Sequence, residues 1–168
     1  MSVRIDDPIL LLRREHDEAL AVLDQLELAV SNLTAPGALA AVQSAIAFLD
    51  QEVRGHNERE EECLFPMVER YLLPAGPTAV MRSEHRDLWT LLTALKAGVQ
   101  ELPPSTSTIH QQGLLVVDLL RRHIAKENQV LFPMATQLLT RDEMADVARQ
   151  MELHIQARAS GGAVFEAS

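Results

Sequence analysis

Cysteine, aromatic residues and long apolar runs are all scarce in this sequence. The 168 residues include one cysteine, Cys63, and only 4% of them are aromatic. A single cysteine excludes an intrachain disulfide framework and any cysteine-rich zinc or iron–sulfur site. The longest apolar runs of note, residues 9–12 and 114–117, contain only a handful of residues. The sequence therefore predicts neither a transmembrane helix nor a signal-peptide core.

Positive charge is also in short supply. The sequence has 15 lysines and arginines and 24 aspartates and glutamates, which gives a formal net charge of −9. The basic residues form no continuous block. This balance argues against nucleic acid and against an anionic membrane surface as partners. The 47% hydrophobic content and the length are those of one ordinary globular domain. We therefore expect a cytoplasmic protein.

Leucine, alanine, glutamate, arginine and glutamine are abundant, which favours helices over strands. Proline and glycine divide the chain into helical intervals, and Thr140 with Glu143 reads as a capping box that opens a fifth helix. The predicted helices span residues 7–33, 38–73, 77–101, 105–139 and 141–157. Short connections make neighbouring helices antiparallel. We predict an all-α fold, an up-down-up-down four-helix bundle with an additional C-terminal helix, as one domain over residues 1–158 with a flexible tail over 159–168.

The second half of the sequence repeats a pattern of the first half. His16 has a counterpart in His85, and Leu-Phe-Pro-Met at positions 64–67 recurs at positions 131–134. The offset between the two copies of Leu-Phe-Pro-Met also relates His56 to His123 and Glu60 to Glu127. The chain therefore reads as two helical hairpins, about 8–73 and 77–139, related by an approximate two-fold axis.

Histidine and glutamate interrupt the apolar seams of the predicted helices. The seam of the second helix reads Ile46, Leu49, Val53, His56, Glu60, Cys63, Met67, and that of the fourth reads Val116, Leu120, His123, Glu127, Val130, Met134. Residues four apart lie on one helix face, and the first and third seams add His16 and His85. Buried carboxylates are costly without a neutralising charge, and these seams hold no lysine or arginine. The sequence predicts a buried cation held by His16, His56, Glu60, His85, His123 and Glu127.

The types of these six residues narrow the kind of metal site. Imidazole and carboxylate without thiolate favour iron, manganese or zinc. Four histidines, two bridging glutamates and a bridging oxide or hydroxide supply roughly ten of the twelve bonds of two octahedral ions. About two positions stay open, whereas a structural zinc site is closed with four ligands. A reactive pair of ions is therefore the favoured interpretation.

The first helix contains a histidine, and the second contains His-x3-Glu before Leu-Phe-Pro; both features recur in the second half. This pattern resembles the hemerythrin-like (HHE cation-binding) family over about residues 8–136. The resemblance implies a non-haem di-iron centre, oxo- or hydroxo-bridged, with Mn or Zn as substitutes. It implies the six residues above as ligands, with Glu60 and Glu127 bridging. Met81 replaces a fifth histidine of the oxygen carriers, and Glu127 replaces an aspartate that in those carriers lies one position further from the histidine. Both departures resemble the bacterial HHE and cluster-repair branch instead.

The resemblance implies several functions, which the sequence leaves open. The first is a di-iron protein that binds or senses a small oxidant: O2, NO or peroxide. One alternative is a di-iron enzyme that reduces peroxide or NO. The other is an iron donor for iron–sulfur cluster repair, ranked last because its familiar representatives carry an N-terminal cysteine-bearing region that this sequence lacks. A homodimer and an unidentified redox partner also stay open.

Several conspicuous residues receive a structural interpretation instead. Met81 and Cys63 are predicted to pack in the core, His110 to lie at the surface, and His154 to take no part in the metal site. Pro66 and Pro133 are predicted to kink their helices. The apolar stripe of the fifth helix either covers the bundle or binds a partner subunit; it comprises Met144, Val147 and Met151.

Charged residues beside the predicted ligands form a separate group. Glu58, Arg59, Glu61 and Glu62 read as a solvated helix face. A carboxylate from this run could nevertheless orient a ligand imidazole, as metal sites usually require. The same role is open to the acidic neighbours of His16 and His85, which are Glu15, Asp17, Glu84 and Asp87.

Overall fold

The computed structural model describes residues 4–162, which form five helices joined by short loops and, within that range, no strand. The helices are α1 (Pro8–Ser31), α2 (residues 38–69), α3 (Pro77–Gln100), α4 (residues 106–138) and α5 (Arg141–Gly162). The predicted all-helical fold is confirmed. Helix α5 continues to Gly162 rather than ending at 157, so the predicted tail is helical in its first residues. Residues 163–168 of that tail lie outside the described part of the chain.

Side chains cap the starts of α1 and α5, and the cap of α5 is the capping box that the sequence predicts. The Asp7 carboxylate accepts a hydrogen bond from the backbone N–H of Leu10 at the start of α1. Before α5, the backbone N–H of Thr140 donates to the Glu143 carboxylate and the N–H of Glu143 donates to the Thr140 hydroxyl, a complete capping box. These local contacts satisfy backbone donors that have no partner inside the helix.

The first four helices form a closed ring in which each helix packs on two others. Helix α1 packs against α2 and α4, and α3 packs against α4 and α2. Helix α5 lies against α1 and α2, and its Val147 and Met151 are fully buried. The apolar stripe of α5 therefore covers the bundle. No helix within residues 4–162 is both long enough and apolar enough to cross a membrane.

Helices α2 and α4 contain π-helical turns. The π-helical segments are Leu49–Val53, Glu60–Leu64 and Glu127–Leu131. In the last two, the phenylalanine of the repeated Leu-Phe-Pro donates its N–H to the carbonyl of a glutamate five positions earlier, Phe65 to Glu60 and Phe132 to Glu127. The proline that follows has no N–H to donate. The wider turn therefore takes up the change in hydrogen-bond register that each proline imposes.

The π-helical turn in α4 corrects one position of the predicted seam. An extra residue in the turn rotates the following side chains about the helix axis. Val130, predicted to face the core, is 51% exposed, while the next residue, Leu131, is 2% exposed. The assignment of Val130 to the seam was wrong because regular helical spacing does not continue through the turn.

The interior of the bundle consists of two apolar clusters with a polar layer between them. One cluster includes Leu23, Leu49, Leu92 and Leu120, and the other, beneath α5, includes Leu12, Phe65, Phe132 and Met151. In α1, for example, His16 lies between Leu12 of one cluster and Ala19 of the other. The apolar ends therefore exclude water from a layer that contains the predicted metal ligands.

Candidate metal centre

The six predicted ligands come together in the buried polar layer. Helices α1 and α3 contribute one histidine each, and α2 and α4 contribute one histidine and one glutamate each. All six are at most 5% exposed, and both glutamates are completely buried: His16, His56, Glu60, His85, His123 and Glu127. The spacing of four between histidine and glutamate places both on the inward face of one helix, as the sequence indicates.

The four imidazoles form two pairs. The Nε2 atoms of His16 and His56, here called the first histidine pair, lie 3.1 Å apart. The Nε2 atoms of His85 and His123, the second histidine pair, are also 3.1 Å apart. Each pair joins one histidine from an odd-numbered helix to one from the following helix.

Each glutamate divides its two carboxylate oxygens between the two histidine pairs. Oε1 of Glu60 lies 3.1 Å from Nε2 of His56, and its Oε2 lies 3.4 Å from Nε2 of His85. Glu127 places Oε2 3.1 Å from Nε2 of His16 and Oε1 3.0 Å from Nε2 of His123. Two groups of four donors result, each with one histidine pair and one oxygen from each glutamate. This is the arrangement that two bridging carboxylates produce around two ions.

The interatomic distances fit donors gathered around shared cations. All four oxygens of Glu60 and Glu127 are buried without a hydrogen-bond partner, and leaving ionised carboxylates in that condition is costly. Two ligands bonded to one ion at ~2.1 Å lie about 3.0 Å apart in octahedral geometry and about 3.4 Å apart in tetrahedral geometry. The observed 3.0–3.4 Å separations cover the same range. The residues present therefore fit a pair of metal ions.

A second set of side chains holds the outer nitrogen of every imidazole. His56 Nδ1 donates to Glu15 at 2.8 Å, and His123 Nδ1 donates to Glu84 at 2.9 Å. His85 Nδ1 donates to Glu61 at 2.6 Å, while His16 Nδ1 donates to the side-chain oxygen of Asn128 at 2.9 Å. With its proton held at Nδ1, a neutral imidazole presents the Nε2 lone pair to the centre. The predicted orienting role is thus realised by Glu15, Glu61 and Glu84, whereas Asp17 and Asp87 are exposed.

A basic side chain stands behind each of these outer partners. Arg59 lies 2.5 Å from Glu15, and Lys126 forms an ion pair with Glu84. Arg82 contacts Glu61, at 3.2 Å from its backbone oxygen, and Arg13 donates to the backbone carbonyl of Asn128 at 3.0 Å. Arg59 was predicted to lie on a solvated face, and that was wrong: it is buried because Glu15 draws it inward. The basic residues thus hold in place the outer partners that orient the imidazoles.

Asn128 and two phenylalanines also contact the histidines of the centre, although they are not among the predicted site residues. The ring of Phe132 stacks on His16, with centroids 5.2 Å apart, and the ring of Phe65 stacks on His85 at 6.0 Å. The repeated Leu-Phe-Pro could have predicted a place for both phenylalanines beside the centre, since each lies five positions after its glutamate. Asn128 follows Glu127 directly, as Glu61 follows Glu60, and this correspondence was also available.

The electrostatics of the centre favour the protonated forms of His56 and His123 where no metal ion is bound. Burial disfavours the charged form of His56, but the carboxylates of Glu60 and Glu15 outweigh it and raise its pKa to about 10. Burial also disfavours the charged form of His123, yet the carboxylates of Glu127, Glu60 and Glu84 raise its pKa to about 9. Burial acts against ionisation of Glu60, but His56 and His85 hold its pKa well below the ordinary value. Protons and metal cations therefore compete for the same anionic layer.

The remaining conspicuous residues take structural places. Met81 and Cys63 are buried in the apolar cluster beneath α5. Burial, followed by the charge of Glu62, raises the pKa of the Cys63 thiol to about 11, so it stays protonated. His110 is exposed and donates to the backbone carbonyl of Val30. His154 lies 3.2 Å from Glu58, away from the six-residue cluster.

A cavity of about 290 Å³ adjoins the centre between α1, α2 and α4. It is lined by both histidines of the first pair and by His123 of the second. Asn57, which also lines it, is buried, and its side-chain nitrogen has no hydrogen-bond partner. A small molecule could therefore reach the imidazole edges.

Helix bundles in which histidines and glutamates on facing helices point into the core are a class of protein that holds dinuclear carboxylate centres. Comparison with known families agrees with that class. The hemerythrin HHE cation-binding domain matches residues 7–135. The chain therefore belongs to the hemerythrin HHE cation-binding family, as its residue pattern predicted.

The chain is also similar to several named proteins. It is 30% identical to the iron-sulfur cluster repair protein YtfE of Cronobacter sakazakii over 138 residues, which cover 74% of this chain and 62% of the relative. It is 37% identical to YtfE of Citrobacter koseri and 35% identical to YtfE of Escherichia coli O1:K1. Each of these two matches extends over 98 residues, 54% of this chain and 44% of the relative. The matched part of the chain thus spans about two-fifths to three-fifths of the length of these relatives.

Proposed function

We propose that this chain is a non-haem di-iron protein whose iron serves the repair of damaged iron–sulfur clusters. The observation that carries the proposal is the pair of completely buried glutamates, Glu60 and Glu127, whose four oxygens have no hydrogen-bond partner and divide between two histidine pairs. Such a layer requires cations, and it offers imidazole and carboxylate, the donors that suit iron. The names of the YtfE relatives support repair as the use of that iron.

Each residue of the centre has a distinct part in this proposal. His16 and His56 would hold one iron, His85 and His123 the other, and Glu60 and Glu127 would bridge them. Bound iron would supply Lewis-acid chemistry, one-electron redox chemistry and a store of iron that can be transferred. The protein orients the imidazoles through their Nδ1 hydrogen bonds, holds Glu60 in its ionised form and excludes bulk water with its two apolar clusters.

This proposal reverses the order that the sequence alone suggested. From the sequence, binding or sensing of a small oxidant ranked first and cluster repair last. The relatives support repair better, since they are named as iron-sulfur cluster repair proteins. We therefore place repair first and infer that the domain matched here contributes the iron-holding part of that activity.

Iron content is the first experiment. The protein is loaded with Fe²⁺ under anaerobic conditions, freed of excess iron and analysed for iron per chain. We expect two irons per chain. Fewer than two in the wild-type protein would contradict a di-iron centre.

A repair assay is the second experiment. A hydro-lyase with an inactive [3Fe–4S]⁺ cluster regains activity when the cluster takes up one Fe²⁺ and one electron to become [4Fe–4S]²⁺, with dithiothreitol as the reductant. The iron-loaded chain should restore activity in the presence of a chelator that suppresses repair by free Fe²⁺. The Glu60→Ala and Glu127→Ala variants, treated identically, should not. Equal recovery with wild-type protein and these variants would contradict the repair proposal.

Binding of a small oxidant is the second candidate, and the cavity beside the first histidine pair supports it. The cavity has room for a molecule the size of NO, O2 or peroxide beside His16 and His56. Ferrous protein exposed to one of these molecules should then respond once per centre, whereas repeated turnover of added peroxide or NO would identify an enzyme. Asn57→Ala, which alters the wall of this cavity, should change the response while leaving the iron content unchanged.

A further inference from the structure

The side chains that hold the imidazole Nδ1 atoms, and the basic residues behind them, repeat in the two halves of the chain at the same sequence offsets as the six candidate ligands. At one position the two halves differ in charge. Glu15 directly precedes His16 and Glu84 directly precedes His85, and each of these glutamates holds a histidine Nδ1. The basic residues behind the network correspond as well: Arg13 to Arg82 at the offset of His16 to His85, and Arg59 to Lys126 at the offset of His56 to His123. The difference in charge is at the remaining position, where Glu61 of the first half corresponds to Asn128 of the second.

These two corresponding residues make the same contact with different charge. Glu61 accepts from Nδ1 of His85 at 2.6 Å with a carboxylate oxygen, and Asn128 accepts from Nδ1 of His16 at 2.9 Å with an amide oxygen. A charged acceptor draws the Nδ1 proton more strongly, which makes the imidazole a better metal ligand at Nε2. His16 therefore has the weakest support of the four histidines.

The difference also leaves the two histidine pairs in unequal surroundings. The first pair is flanked by one carboxylate, Glu15, and two basic residues, Arg13 and Arg59. The second pair is flanked by two carboxylates and two basic residues: Glu61, Glu84, Arg82 and Lys126. Among these partners, the first pair thus has one carboxylate fewer than the second, and a nearby carboxylate favours a bound cation.

We infer that the two metal positions have unequal affinity, and that the ion held by His16 and His56 is the weaker bound and the first to exchange. The inference rests on the two-ion centre of the proposed function. The cavity lies on the same side, since it contacts both histidines of the first pair but only His123 of the second. For cluster repair, this asymmetry would give one iron to transfer and one that stays to maintain the centre.

Chelator competition tests the inference. Protein loaded with two Fe²⁺ per chain is mixed anaerobically with an excess of a colorimetric ferrous chelator, and iron release is followed with time. We expect two phases of equal amplitude whose rates differ by about 10- to 100-fold, the usual effect of altering an outer partner of a metal ligand. Release of both irons in a single phase would overturn the inference while leaving the di-iron proposal intact. Fewer than two irons at the outset would contradict the proposed function itself.

Reciprocal isosteric variants assign the phases. Asn128→Asp keeps the shape of the side chain and adds the missing charge, so it should slow the fast phase and leave the slow phase unchanged. Glu61→Gln removes the corresponding charge and should accelerate the slow phase alone. Glu62→Gln, at an exposed neighbouring position, should change neither. A swapped pattern, or equal effects of Asn128→Asp on both phases, would contradict the assignment.

Single-ligand variants give a second assignment that does not depend on the outer partners. His16→Gln should retain one slowly released iron per chain, and His85→Gln should retain one rapidly released iron. Circular dichroism of each variant verifies that the helices remain folded. Faster release from His16→Gln than from His85→Gln, or equal rates in the two variants, would contradict weaker binding at the position held by His16 and His56.

Discussion

His56 Nδ1 donates to the carboxylate of Glu15 at 2.8 Å, and Glu15 directly precedes His16 in α1. A residue next to one candidate ligand thus orients a candidate ligand on the neighbouring helix. His123 and Glu84 repeat the relationship at 2.9 Å between α4 and α3. The imidazoles are therefore oriented by the protein itself, which is the condition for a preorganised metal centre.

Removal of either buried glutamate should remove metal. Glu60→Ala or Glu127→Ala deletes a carboxylate that each group of four donors uses, so we expect the loss of at least one of two ions per chain. Metal analysis after anaerobic loading and desalting measures the effect. Glu62→Ala, from an exposed position in the same π-helical turn as Glu60, is the control and should keep full metal content. Full content in the Glu60 and Glu127 variants would remove these residues from the ligand set.

Metal binding should release protons at neutral pH. Because the pKa values of His56 and His123 are about 10 and about 9 in the metal-free protein, both are protonated near neutral pH and must each lose a proton to bind metal. We expect about two protons released per chain from these residues, one for each ion, and an apparent affinity for each ion that rises by roughly 10-fold per pH unit below about pH 9.

Calorimetry of Mn²⁺ binding in buffers with different ionisation enthalpies measures this number. The control is His110→Gln, at the surface, which should release as many protons as the wild type. A binding enthalpy that does not depend on the buffer would show that protons and metal do not compete.

Enlarging Gly113 should separate α1 from α4. A Cβ atom at Gly113 would lie 2.6 Å from Cγ1 of Val30, a distance that side chains do not tolerate without movement. Gly113→Ala should therefore reduce the free energy of unfolding by about 1–3 kcal/mol, the usual effect of overpacking a core. Urea denaturation measures it. Gly161→Ala, which meets nothing within 4 Å, should be neutral or slightly stabilising, and equal losses would contradict the close packing of α1 on α4.

Truncating the buried face of α5 should destabilise the whole domain. Met151 is completely buried in the cluster that also contains Phe65 and Phe132. Met151→Ala should lower the free energy of unfolding by about 2–5 kcal/mol, as for other large-to-small core substitutions. Leu153→Ala on the same helix, at a 62% exposed position, should change it by no more than about 0.5 kcal/mol. Similar unfolding energies for both variants would show that α5 does not stabilise the bundle.

The helical fold and the grouping of the six candidate ligands could be predicted from the sequence. Both depend on spacing within single helices: His56 with Glu60, and His123 with Glu127, share a face because they are four positions apart. Such spacing fails where the helix is not regular, and the exposed Val130 is the example. A π-helical turn depends on how the proline and its surroundings share hydrogen bonds, which helical periodicity does not encode.

Sequence alone determined the five helices, their order and the inward-facing histidines and glutamates, because these follow from local periodicity, capping and an internal repeat. Tertiary structure decided which charged neighbours serve the centre. Glu61 and Glu62 look alike in sequence, yet only Glu61 meets an imidazole, since His85 belongs to another helix whose distance and rotation no local pattern specifies. For the same reason only the packed bundle reveals that Asn128 supports His16 and that Arg59 is buried behind Glu15.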